Sequence, residues 1–356
     1  MKKMFKKIIT MGFAPFVFAG CSNTEIQPRS SASFYHDGVF ASKMDEQKMD
    51  FSETVKIIWQ LFVSDTTGIE PKEGEIPIKK LTRTDLLEMP NNSVVRLAHS
   101  TLLYRLDGRF ILTDPVFSER ASPVSFFGPK RFHDMPISLK ELPDIDILVL
   151  SHNHYDHFDE ATLKALKDRI GQVYTTLGIK DMLLNLGFSA NQVTELDWWE
   201  EAQDKTIQII ATPSQHFSGR GVFDRNKTLW ASWVIRTPQT NLFFGADSGY
   251  FEGFKQIGEH FGPFDMTFLE NGAYNERWRQ IHMMPEETVQ AHLDLRGKWL
   301  YPIHNGSFKL SMHPWKEPFQ RVEKAALENN VAIIFPMFGE IRSIKKPTSS
   351  QAWWWR

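Results

Sequence analysis

From residue 93 onward the chain reads as short apolar runs separated by polar breaks. The runs are VVRLAH (94–99), RFILTD (109–114), IDILVLSH (145–152), TIQIIATPSQH (206–216), LWASWVIR (229–236), NLFFGAD (241–247), KWLYPIH (298–304) and VAIIFP (331–336). They are rich in β-branched and aromatic residues and have the length of strands. Between some of them, DEATLKALKDRI (159–170), MPEETVQAHLDL (284–295) and EPFQRVEKAALENN (317–330) repeat their apolar positions with helical spacing. Strands in succession, then strands alternating with helices, predict an α/β domain: two mixed β-sheets in a layered sandwich flanked by helices. Upstream, residues 34–92 form a mixed N-terminal extension with one amphipathic helix expected at 52–62 (SETVKIIWQLF).

The first twenty residues follow another pattern. Lys2, Lys3, Lys6 and Lys7 precede an apolar stretch (8–18), then small Ala19 and Gly20, then Cys21. This reads as a secretory signal, too short for a stable transmembrane span. Its small-small-Cys ending resembles a bacterial lipoprotein signal, which implies that Cys21 is lipidated and anchors the mature chain to a membrane surface. The implied location is the bacterial cell envelope, and Ser22 after the Cys favours the outer membrane, facing the periplasm. An uncleaved anchor or a plain secretory signal is the alternative. From Cys21, the Ser-rich residues up to 33 read as a tether.

Composition narrows the classes. With 356 residues, 42% hydrophobic and 13% aromatic, the chain can build a large core, which excludes disorder and a disulfide-stapled mini-protein. Its net charge is −2, and loss of the signal lysines leaves 37 basic against 43 acidic residues, so nucleic acid is not expected as a partner. A single Cys makes neither an intramolecular disulfide nor a Cys-type zinc site. Metal chemistry must therefore rest on the 12 His and the carboxylates.

Among the residues that end these runs, His152, His216, Asp247 and His304 stand out as able to bind a metal. A strand presents polar groups to a ligand at its C-terminal edge rather than from its interior, so this repeated placement points to one shared site. The densest signal is His152-Asn153-His154-Tyr155-Asp156-His157, directly after an apolar strand. So many ligand-capable groups in one tight loop need cations as partners. A His-rich solvated loop or a purely structural metal clip is the bland alternative.

With HxHxDH after a strand, the sequence resembles the metallo-β-lactamase superfamily. It is most similar to the branch of N-acylphosphatidylethanolamine-hydrolysing phospholipase D and related bacterial lactonase-like hydrolases. The branch-specific stretches include Leu112 to Phe117, Glu119 to Pro123, Gly128 to Phe132, Thr212 to His216, Leu229 to Trp233, Gly262 to Asp265, Gly272-Ala273-Tyr274 and Ile303 to Gly306. The resemblance implies an αββα sandwich over residues 93–345, followed by a tail at 346–356. It implies two Zn2+ per chain, with another divalent metal allowed: one on His152, His154 and His216, the second on Asp156, His157 and His304, and Asp247 bridging both. Asp156 and Asp247 then count as catalytic, together with His282 and His99. The β-lactamases typically place Cys or Ser where Asp247 stands, and an all His/Asp site suits esters better than antibiotics.

The implied function is a dinuclear zinc phosphodiesterase of phospholipase D type, acting on an N-acylphosphatidylethanolamine-like lipid through that hydroxide. The alternatives are a lactonase or carboxylic-ester hydrolase of the same fold, and a non-catalytic metal-binding envelope lipoprotein. Partners are then a lipid or other small ester, the membrane through the anchor, and a second copy of the chain as a homodimer. His99 matches the family's GH(A/S)T stretch with Ala98 in place of Gly; it donates a hydrogen bond at the site or is a satisfied His under the sheet. His282, before Pro285-Glu286-Glu287, protonates a leaving group, binds phosphate, or packs at a helix start. Its neighbour Ile281 replaces Gln of the branch, and Glu270-Asn271 stand where the branch usually has Pro-Ile. Arg220, on a Gly-flanked loop, pairs with a phosphate oxygen or is a solvated charge. Trp198-Trp199 and Trp353 to Trp355 touch lipid or simply pack.

Overall fold

Strands covered on both faces need apolar residues at successive positions, and the continuous runs of this chain meet that need. The computed structural model describes residues 35–36, 38–40, 68–221, 223–347 and 354–356, and in it the runs build two facing mixed sheets with helices outside each. The signal, Cys21, the tether, the helix expected at 52–62 and Trp353 lie outside the described residues. A short ribbon, β1 (Tyr35–His36) and β2 (Val39–Phe40), and a capped helix, α1 (Arg83–Leu87), precede the first sheet.

In that sheet β3 (Ser93–Arg96), β4 (Leu102–Leu106), β5 (Arg109–Thr113), β6 (Ile145–Val149), β7 (Ile170–Thr176) and β8 (Val193–Leu196) lie side by side in chain order. The first three are antiparallel and the run from β5 to β8 is parallel. Its helices are α2 (Glu160–Leu166) and α3 (Lys180–Asn185). The second sheet holds β9 (Glu201–Asp204), β10 (Ile207–Thr212), β11 (Ser232–Arg236) and β12 (Asn241–Phe244), antiparallel. Parallel β13 (Met266–Glu270) and β14 (Leu300–Ile303) follow. Its helices are α4 (Gly253–Phe261), α5 (Pro285–Asp294) and α6 (Glu317–Glu328), and β15 (Arg342–Ser343) returns to pair with β3.

Alternation along each strand divides the core into layers. On β6, Ile147 and Val149 join Ile209, Trp233 and Phe244 between the sheets, while Leu148 turns to Leu163, Leu166 and Leu183 of the helices. On the far side, Phe243, Leu269 and Leu300 pack with Phe254, Val289 and Phe319. The described parts of the expected extension join these cores through Phe40, Ile76, Leu81 and Leu86. Trp198 and Trp355 are buried, the latter stacked on Phe319 at 5.7 Å, so both pack. The run at 331–336 stays outside the sheet apart from one bridge, Ile333 to Leu300. The apolar runs also leave several strands unannounced, among them β9, an edge strand (EAQD) exposed enough to need no apolar face. Among the described residues no helix is long and apolar enough to cross a membrane.

The two sheets meet at the C-terminal ends of their parallel strands, and Arg96 fastens them there. Its side chain is buried and lies 4.6 Å over the Phe338 ring. It donates to His99 O (2.9 Å), Asn305 Oδ1 (2.8 Å) and Asn305 O (2.6 Å), tying the loop after β3 to the loop after β14. Burial pulls the guanidinium down to about 10, still charged at neutral pH. Replacement by Arg96→Met leaves buried carbonyls without donors, and charge-assisted hydrogen bonds of this kind are each worth about 1.5–3 kcal/mol. Urea unfolding of the metal-free protein should show a loss of about 2–4 kcal/mol; a loss below about 0.5 kcal/mol would remove Arg96 as the fastener.

Candidate metal centre

The loop between β6 and helix α2 spans residues 150–159 and folds into a tight turn before the helix starts. His157 N–H and Phe158 N–H both donate to His154 O, and Asp159 caps α2 by accepting from Ala161 N–H. Within this turn His152, His154, Asp156 and His157 face one space. His216 enters it from the end of β10, Asp247 from the end of β12 and His304 from the end of β14. His304 adopts a left-handed backbone (φ 62°), as do Ala246 (φ 49°) and Asp114 (φ 34°), all just past strand ends at the site. Backbone strain of this kind persists where the surroundings dictate it. Gly272 allows the close approach of the next loop: a Cβ there would lie 1.9 Å from His304 O.

The side chains sort into two trios around Asp247. His154 Nδ1 lies 2.8 Å from His152 Nε2 and 3.2 Å from His216 Nε2, and Asp247 Oδ2 is 3.6 Å from His216 Nε2 and 3.9 Å from His152 Nε2. On the other side, Asp247 Oδ1 lies 3.1 Å from both His157 Nε2 and His304 Nε2, while Asp156 Oδ2 is 3.6 Å and 3.3 Å from them. One carboxylate thus offers a separate oxygen to each trio. Ligands about 2.0–2.1 Å from a tetrahedral zinc stand about 3.3 Å apart, the middle of this range. His157 Nε2, His304 Nε2 and Asp247 Oδ1 are buried without a hydrogen-bond partner, although they lie at contact distance from one another. Buried polar atoms this close together without hydrogen bonds between them fit a shared cation. The donor set suits a pair of divalent metals.

Electrostatics divides the trios as well. Burial, reinforced by neighbouring imidazoles, holds His152 and His216 well below the usual range, and burial brings His154 to about 4, so these rings are neutral and ready to ligate. Burial opposes charge on His304 too, but Asp247 and Asp156 push it up to about 9, and His157 is raised in the same way. Burial works against ionisation of Asp247 and Asp156, yet the adjacent His157 and His304 hold both well below the usual carboxylate range.

The remaining expected residues lie close by. Burial lowers His99 to about 3, and its Nε2–H donates to Asp156 Oδ2 at 3.1 Å, with the ring 3.8 Å from that of His304. This is the hydrogen-bonding alternative, at the site. His282 shares a group with Asp247 and His304, their ligand atoms within 4.8 Å. Arg220 is engaged by the metal loop itself: Nη1 donates to Asn153 O (2.9 Å) and Phe158 O (2.8 Å), and Nη2 pairs with Glu160 (3.2 Å). With 13% of its side chain exposed and its guanidinium over Tyr155, it is not a solvated loop charge.

A family model described as a beta-lactamase superfamily domain matches residues 109–305. The chain belongs to the metallo-β-lactamase superfamily. An uncharacterized protein of Mycobacterium tuberculosis is 38% identical over 327 residues, 90% of this chain and 87% of its own. The N-acyl-phosphatidylethanolamine-hydrolyzing phospholipase D 1 of Caenorhabditis elegans is 36% identical over 250 residues, 67% of this chain and 70% of its own. Among solved structures, the metallo hydrolase Igni18 of Ignicoccus hospitalis superposes with a TM-score of 0.53 over 70% of this chain and 96% of its own, at 22% identity, which supports the fold.

Within this metallo-β-lactamase fold, sequence reasoning passed over Asp114. It is fully buried and accepts from His157 Nδ1–H at 2.7 Å, Ser151 N–H at 2.8 Å and Ser151 Oγ–H at 2.6 Å. Ser151 Oγ in turn accepts from His152 Nδ1–H at 2.9 Å. Asp114 therefore turns Nε2 of a ligand in each trio toward the centre, directly for His157 and through Ser151 for His152. It ends the run RFILTD, so the rule that found the other strand-end ligands would have found it. Loss of such a carboxylate behind a metal-binding histidine costs about 10- to 100-fold in affinity. Chelator competition on Asp114→Asn should show that loss; unaltered affinity would make Asp114 a core residue only.

Proposed function

We propose that the chain is a dinuclear-metal phosphodiesterase of phospholipase D type whose substrate is an N-acylphosphatidylethanolamine-like lipid. The observation that carries this reading is Asp247, whose two oxygens each face a separate trio of His/Asp ligands. The similarity to the C. elegans phospholipase supports the substrate class. Two zinc ions there, or another divalent pair, would supply a water of lowered pKa and stabilise negative charge developing at phosphorus.

The chain's own residues do the rest. Asp247 keeps the two halves of the centre in register. His99 holds the carboxylate of Asp156 in orientation through their 3.1 Å hydrogen bond. The backbone O of Ile281 accepts from His216 Nδ1–H at 3.0 Å and turns its Nε2 inward. His282, 12% exposed while His152, His216 and His304 are about 1% exposed, would meet substrate from the more open side. Arg220 supports the loop that carries His152 to His157.

The zinc-loaded protein should hydrolyse bis-p-nitrophenyl phosphate and N-acylphosphatidylethanolamine in mixed micelles. His154→Ala and Asp247→Ala should each lower bound zinc, by elemental analysis, and abolish that turnover; unchanged activity in either variant overturns the mechanism. Faster turnover of a lactone by the same preparation would favour the carboxylic-ester reading. About two metals per chain with no turnover of any ester would favour a non-catalytic metal-binding lipoprotein.

The envelope location and anchor belong to this proposal as well. Acyl chains on Cys21, rather than charge, would bring a chain of negative net charge to a lipid surface. Growth with a tagged fatty acid should label the wild-type protein and not Cys21→Ser. Equal labelling of both, or of neither, overturns the anchor.

A further inference from the structure

Strand β13 ends on Glu270, a side chain with no exposure, flanked in the sheet by β12 and β14. Both of its oxygens are used. Oε1 accepts Met283 N–H at 2.8 Å, and Oε2 accepts His282 Nδ1–H at 3.0 Å and stands 3.9 Å from His304 Nδ1. The segment it grips is the one whose Ile281 O orients His216. A buried carboxylate here is costly unless the fold uses it, and its hydrogen bonds are all to this segment.

A carboxylate accepting at Nδ1 places the proton there and fixes the plane of the ring. Nε2 is then the nitrogen of His282 left for the site, and the ring is the more exposed one beside the buried ligands His216 and His304. We propose that Glu270 is a positioning residue. Its carboxylate sets the plane and tautomer of His282, so that Nε2 meets the substrate at the open edge of the metal pair. This rests on the phosphodiesterase reading for the identity of the substrate, but not for the geometry.

The test compares Glu270→Ala, His282→Ala and the double variant in the metal-loaded full chain. With bis-p-nitrophenyl phosphate, each single variant should lose about 10²-fold in kcat with KM within about twofold, and the double variant should lose no more. The metal-to-protein ratio should stay at the wild-type value in all three. In ¹⁵N-histidine-labelled protein, the downfield N–H proton signal that His282→Ala removes should also vanish in Glu270→Ala. Multiplying losses in the double variant, or persistence of that signal in Glu270→Ala, would overturn the proposal. So would metal loss in Glu270→Ala with full metal in His282→Ala, which would make Glu270 a support of His304. If Glu270→Ala does not fold, Glu270→Gln keeps a buried acceptor whose single amide oxygen cannot serve both donors, and it is read by the same criteria. Wild-type protein inert toward phosphodiesters would defeat the function reading alone, and the NMR comparison would still decide the role of Glu270.

Discussion

Five imidazoles and two carboxylates packed into the joint edge of two sheets can stay there only if positive charge is delivered to them. The rest of the structure serves this demand. Asp247 is where it is sharpest, because its two oxygens face different trios, and neither half of the centre is complete without it. The strained backbones at Ala246, Asp114 and His304 lie next to that point, and the fold holds them by bonds between loops. His304 N–H donates to His99 O and Ala231 N–H to Ser151 O.

Each sheet contributes one buried carboxylate set behind its histidines. Asp114, just past β5, orients His157 and, through Ser151, His152. Glu270, at the end of β13, accepts from His282 and from the backbone of the segment that steadies His216. The centre is thus supported from both sides of the sandwich, with Arg96 holding the two rims together. A displaced rim would move ligands of both trios, which ties the stability of the core to the geometry of the site.

How much of this could be read beforehand follows from where the signal resides. Strands buried on both faces announce themselves as apolar runs, and the ligands at their ends were legible because chain order alone places them there. The division into trios came from resemblance; in the fold Asp247 Oδ1 lies 3.1 Å from His157 and Oδ2 3.6 Å from His216. Asp114 carried the same strand-end signal without a neighbouring cluster to draw attention to it. Glu270 was legible only as a departure from the branch's Pro-Ile, not as a strand-end group, since MTFLE is short, and its partners lie twelve and thirteen residues away across a loop. Arg220 shows the opposite limit: a Gly-flanked Arg near a ligand looks free in sequence, and only the fold brings Asn153 O, Phe158 O and Glu160 to it.

The same buried charges give the metal-free centre its pH behaviour. His304 is raised to about 9, so its contribution to stability is fully present below the unfolded value of about 6.5 and fades as pH climbs to 9. Asp156 and Asp247 are depressed, so theirs is present above about 4 and is lost as pH falls further. Between those limits protons on His157 and His304 balance the carboxylates of Asp156 and Asp247. Metal uptake near neutrality must expel them, which links occupancy to pH. Protons serve the trio that contains a carboxylate of its own, Asp156. The His152, His154 and His216 trio is held neutral by burial and faces only the other oxygen of Asp247, so protons bring no charge to that side.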